Sequence, residues 1–255
     1  MHFSALDDVF WAAGFFLNAA LLAVMLWRRR AAQFPILTLW LAFLVVRTAA
    51  LFLIYLHGSK YWYVRVYLPG VWIDFFLQLG IAVEIARIVL HPTGTWIRDA
   101  RRGFLAAALL GFGVAAGLTW WINPPASSVR DLWQLRANLF TSLVICEVFV
   151  AMSLTSNRLG LGWRNHVMAV GQGLTAWMTV MVLTTALQSF LGMQHYYVLL
   201  DQVRFVAYVT AITWMTVQLW IPEPERLPIS PDLREYILAL HQRVEYDLRR
   251  LDARR

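Results

Sequence analysis

FPILTLWLAFLVVRTAALFLIYL, residues 34–56, carries one charged side chain, Arg47, near its middle. An α-helix needs about 20 apolar residues in a row to cross the hydrocarbon core of a bilayer. The fold therefore turns on whether this stretch stands alone. Similar blocks lie near 9–27, 67–90, 103–122, 134–155, 166–190 and 197–220. Backbone N–H and C=O groups find no water in lipid, so each block must pair its own backbone as a helix. The sequence predicts an all-α integral membrane protein: a bundle of seven transmembrane helices.

Composition agrees. The 255 residues are 60% hydrophobic and 15% charged, against about 45–50% and about 25% in soluble domains. Many tryptophans fall near block ends (Trp11, Trp27, Trp62, Trp120, Trp121, Trp133, Trp163 and Trp220), where indole rings favour the headgroup level. Cys146 is the only cysteine, so neither an intramolecular disulfide nor a cysteine-based zinc site can form.

The net charge of +7 is carried by arginine, with Lys60 the only lysine. In a polytopic protein this reads as the positive-inside bias, and no nucleic-acid partner is expected. The first connection holds Arg28, Arg29 and Arg30; the third holds Arg98, Arg101 and Arg102; the fifth holds Arg158 and Arg164. The even connections hold Lys60 with Arg65, then Arg130, then no basic residue but His195. That asymmetry places the N-terminus outside and the C-terminus in the cytoplasm. The acidic start, MHFSALDD, lacks the basic n-region of a signal peptide, so the first block is expected to be a retained span. Short connections and no processing signal fit a multi-pass protein of a bacterial inner membrane.

After Trp220 the character changes. A transmembrane bundle over 1–221 gives way to a Pro-rich hinge over 222–231, which cannot continue the helix. Ser230 is a good N-cap with Pro231 behind it, and predicts a cytoplasmic amphipathic helix over 232–255. Leu233, Ile237, Leu240, Val244 and Leu251 mark its apolar side. Such a helix rests on the lipid surface or docks a protein partner or a second copy of the chain.

A charge at mid-membrane costs between ~2.5 and ~17 kcal/mol on an isolated helix, so Arg47 needs a partner inside the bundle. With the second span running outward, Asp74 of the third span and Asp201 and Arg204 of the seventh lie at similar depth. Tyr67 and Gln78 share a side of the helix with Asp74, and Tyr208 continues that of Arg204. Asp74 is the expected partner of Arg47. The set reads in two ways. One is a buried ion-pair network locking helices two, three and seven. The other is a polar pocket, open to the outside, for a small anionic or zwitterionic ligand, since a guanidinium fork suits carboxylate or phosphate. A second cluster lies toward the cytoplasm: Glu84 and Arg87, spaced to pair on one helix, and Glu147, which is protonated, paired across helices or part of a proton path. Asn18, Asn138 and Gln172 offer interhelical hydrogen bonds of about 0.6 kcal/mol each.

Histidines paired at two levels, His91 with His166 and His57 with His195, are what a membrane b-type cytochrome would need. All four sit at span ends or in loops, where a haem would be exposed, so neither haem nor another cofactor nor a metal is expected. The chain has no glycine-rich phosphate loop, HExxH or GxSxG, and no catalytic residue is assigned. In topology the pattern resembles rhodopsins, heptahelical receptors and the membrane input modules of some bacterial sensor kinases. Their inner-loop and last-helix motifs are absent, and a retinal Schiff base would need a buried lysine. The leading expectation is a non-enzymatic heptahelical sensor or receptor-type module. The alternatives are a structural or accessory subunit of a membrane complex, or a small-solute or proton-coupled transporter.

Overall fold

The computed structural model describes residues 5–57, 60–90, 98–122, 124, 126, 128–158, 166–191 and 197–222. They form seven α-helices: α1 (Ala5–Trp27), α2 (Pro35–His57), α3 (Lys60–Leu90), α4 (Arg98–Trp121), α5 (Val129–Arg158), α6 (His166–Leu191) and α7 (Tyr197–Trp220). Among the described residues there is no strand. Six helices, all but α4, are long and apolar enough to cross a membrane; α4 contributes a shorter apolar stretch, Leu109–Trp121. Large apolar side chains such as Val46, Leu53, Phe76, Val83, Leu110 and Phe190 face outward. Such an apolar exterior belongs in lipid. The chain is a multi-pass membrane protein.

Several helices run longer than their apolar blocks. α3 begins at Lys60, so Lys60 and Arg65 are helical and not in a loop; Arg65 donates to the Tyr61 hydroxyl one turn back, 2.7 Å away. α5 begins at Val129 because the Ser128 hydroxyl accepts from the Asp131 N–H at 3.1 Å, an N-cap in front of the apolar run. Pro69 lies inside α3. A span tolerates proline where neighbouring side chains and helices compensate.

α1 packs on α2 and α7, α2 on α3, α3 on α5, α5 on α6, and α6 on α7. This closes a ring of six, with α4 outside it against α5. The buried apolar core gathers at one end. It takes Leu21 and Met25 from α1, Leu37 and Leu41 from α2, Ile81 from α3, and Ile212, Met215 and Leu219 from α7. Gly173 lets α6 and α7 meet closely there: a Cβ on it would lie 2.7 Å from Met215 Cγ and 3.3 Å from the Ala211 carbonyl oxygen. At the same end Arg29 (φ 55°) turns the chain out of α1, and the Arg28 guanidinium lies 4.5 Å from the ring centre of Trp220. Apart from Pro222, the hinge and the terminal helix with Leu233, Ile237, Leu240, Val244 and Leu251 lie outside the described residues.

Candidate functional site

Arg47 does meet Asp74. Its Nη1 is 3.7 Å from Asp74 Oδ2, and both side chains are mostly buried. The distance is that of an ion pair and too long for a hydrogen bond. Arg47 reaches across α3 at Gly70, where a Cβ would sit 2.8 Å from its Nε. Only glycine leaves that path open. The guanidinium then faces the Tyr67 ring at 5.4 Å, a contact that further offsets its desolvation. The Tyr67 hydroxyl accepts from Gln134 Nε2 at 2.9 Å, so the chain of contacts runs on to α5. The other Asp74 oxygen, Oδ1, accepts from Trp40 Nε1 at 2.6 Å.

Arg204 turns to α6. Its Nε donates to Thr184 Oγ1 (2.7 Å), and Nη2 donates to Thr185 Oγ1 (3.1 Å) and Gln188 Oε1 (2.7 Å). Its Nη1 stands 3.6 Å from Asp201 Oδ1, one turn back on α7. One turn further along, the Tyr208 hydroxyl donates to Asn18 Oδ1 (2.8 Å), and Asn18 Nδ2 donates to the Gly14 carbonyl (2.8 Å). Arg204 thus ties α7 to α6, and Tyr208 ties it to α1. The single network locking helices two, three and seven does not form. Among the described residues no ion pair crosses from α7 to α2 or α3, because Arg204 finds its acceptors on the neighbouring helix of the ring.

Between these two groups lies a cavity of about 730 Å³, walled by α1, α2, α3, α6 and α7. Five of the seven residues expected there line it: Asp74, Gln78, Asp201, Arg204 and Tyr208. Arg47 and Tyr67 do not; they stand behind Asp74. The cavity extends from Phe10 and Tyr197, near the N-terminal ends of α1 and α7, to Trp40 and Trp177. The Trp40 and Trp177 ring centres are 6.4 Å apart, and Trp177 meets Tyr208 edge-on at 5.0 Å. Sequence reasoning left both tryptophans out of the site. Trp177 carried a signal in its mid-span position; Trp40, in the second turn of α2, carried none. Thr184, Thr185 and Gln188 were missed too, although their spacing puts them within about one turn of each other on one helix.

The inner cluster differs from expectation. Glu84 does not pair with Arg87, which is exposed. Its carboxylate accepts from the backbone N–H groups of Ile36 (2.8 Å) and Leu37 (3.0 Å). These are among the N–H groups that the first turn of a helix leaves unsatisfied, just behind Pro35. Glu84 is a cap supplied by one helix to another, and the helix N-terminus also favours its negative charge. Glu147 points at α4, where a Cβ on Gly111 would meet its Oε2 at 2.8 Å. Among the described residues it makes no ion pair or hydrogen bond.

His166 is buried and His57 exposed, while His91 and His195 lie outside the described residues. No three His, Cys, Asp or Glu side chains converge among the described residues. Comparison with protein-family models, curated proteins and solved structures returns no match.

Proposed function

We propose that the protein is a heptahelical membrane sensor or receptor-type module that binds a small ligand from the outer side. In this reading α4 is the seventh span. By the positive-inside bias of the odd connections, this reading takes the core-packed end as cytoplasmic, with the N-terminus and the cavity mouth outside. The observation that carries the reading is the cavity itself, in which aromatic rings surround a few convergent charged and polar groups. That is the usual composition of a small-molecule site. Asp74 is where occupancy would be felt elsewhere: one carboxylate oxygen is held by Trp40 at the cavity wall and the other faces Arg47, which reaches Tyr67 and through it α5. A shift there, passed to the C-terminal segment and a protein partner or second copy, completes the proposed signal. A bacterial inner membrane is the proposed location.

The test is a native mass spectrum of the full chain, extracted in mild detergent from its host membrane. A small, reproducible mass surplus that disappears in Asp74→Asn supports the sensor. A bare chain in both preparations contradicts it.

One observation favours a second reading, an accessory subunit of a larger membrane complex. Arg47, Arg204, Tyr208 and Glu84 all act as ties between helices, which is what internal glue would do. A larger assembly of fixed stoichiometry in the same spectrum selects it. The transporter reading has less support: Asp74 and Glu84 are both held at the α2–α3 contact, whereas Glu147 faces α4.

A further inference from the structure

Building on the ligand-cavity reading, we infer that the ligand is a zwitterion with an apolar body. Its ammonium group sits among Trp177, Tyr208 and the Asp74 carboxylate, and its anionic group sits against the Arg204 guanidinium.

The anion seat follows from counting donors. A guanidinium has five N–H bonds. Nε–H is taken by Thr184, and the two on Nη2 by Thr185 and Gln188. Among the described residues the two on Nη1 have only Asp201 Oδ1, at 3.6 Å, beyond hydrogen-bond distance. Arg204 lines the cavity, so its fork is held rigidly from behind by α6 with one nitrogen left for a guest. Asp201 is 62% exposed and near the mouth, so it can move aside when a stronger acceptor arrives.

The cation seat follows from the rings. Trp40, Trp177 and Tyr208 form a run of adjacent aromatics, and Asp74 is bonded to the first of them. Aromatic faces beside a carboxylate suit an ammonium, and best a methylated one, whose charge is weakly hydrated. Of the roughly four lone-pair positions of the Asp74 carboxylate, Trp40 and Gln78 take two and Arg47 stays at ion-pair distance, so acceptor capacity remains. Arg204 and Tyr208 are four residues apart on α7, about 6 Å along the axis, so the two seats are close. A pure anion would face Asp74 and Asp201, and a pure cation would face Arg204; a zwitterion meets an opposite charge at each end. The apolar body follows from size: about 730 Å³ exceeds what a bare ammonium acid fills, and Phe10, Trp11, Leu44, Met181 and Phe205 line the remainder.

Two sources share this chemistry, a free amino-acid-like solute and the headgroup of a zwitterionic phospholipid. The experiment is calorimetric titration of the detergent-solubilised full chain with three probes of one shape. They are N,N,N-trimethylphenylalanine (both charges), its methyl ester (cation only) and N-acetylphenylalanine (anion only). The first is expected to bind about tenfold or more tightly than either of the others. Asp74→Asn, which keeps an acceptor for Trp40, should abolish that preference by weakening the zwitterion, while the anion-only probe binds no more weakly than before, since a repelling carboxylate has gone. Displacement by dihexanoyl phosphatidylethanolamine assigns the lipid source, and its failure to displace a bound zwitterion assigns the solute. Equal binding of the ester or the acid, or no binding of the zwitterion, overturns the inference. If the protein nevertheless carries a co-purifying mass lost in Asp74→Asn, the ligand cavity stands and only the zwitterion falls.

Discussion

The two halves of the bundle are built from different materials. At the arginine-rich end, Leu, Ile and Met side chains from α1, α2, α3, α6 and α7 close on one another, and Gly173 brings α6 and α7 into contact. At the other end the first half of α7 buries no side chain fully, and the buried positions in the second half of α6 are Thr184, Thr185 and Gln188. Apolar side chains of graded size interlock. Charged and aromatic groups, each held at its own bonding distance, do not, and the residual space is the cavity. The sealed half holds the helices together; the open half is available to bind. Lipid does not drive apolar faces together as water does, so close packing and polar ties must both contribute.

Substitutions in the two halves should therefore differ in cost. The largest effect is expected for Glu84→Ala, which leaves the N–H groups of Ile36 and Leu37 without an acceptor in a buried setting. A loss of about 3 kcal/mol is expected, read as a lower melting temperature in detergent, with Glu84→Gln in between. Next comes Arg204→Gln, which removes the ties to α6 and should cost about 2 kcal/mol; Asp201→Asn, at an exposed position, should change stability by less than about 0.5 kcal/mol. Gly173→Ala forces Met215 and the α7 backbone to shift and should cost about 1–2 kcal/mol. Gly113→Ala on α4, with nothing within 4 Å of the new methyl group, should be neutral or stabilise by up to about 1 kcal/mol. Trp40→Phe swaps a fully buried indole for a smaller ring and removes the bond to Asp74, and should cost about 1–2 kcal/mol; the smallest expected effect is that of Asp201→Asn. If Asp201→Asn at the cavity mouth proves as costly as the changes at Glu84 and Gly173, the two halves are not different in kind.

Much of this was legible in the chain. Apolar length located the helices because lipid imposes that length. The Arg47–Asp74 pair followed from depth matching, because a buried charge must find a partner and few were at its level. The helix ends were less clear, since capping by Ser128 and the Arg65–Tyr61 contact extend helices past their apolar blocks. Two kinds of fact were not legible. The order of helices around the ring decides partners, and nothing in the spacing shows that Arg204 faces α6 and not α2 or α3. The role of Glu84 was hidden because its partners are backbone groups of another helix, which no residue type advertises; the i,i+3 arginine was the more visible candidate and the wrong one.

The central claim is that the cavity opens to the outer side while the opposite half is sealed. It can be tested by labelling intact cells with a membrane-impermeant maleimide, in a Cys146→Ser background. Gln202→Cys, on the cavity wall, should label from outside, and Met215→Cys, fully buried in the core, should not. Labelling at Met215→Cys, or none at Gln202→Cys with the protein folded and in the membrane, would contradict the account.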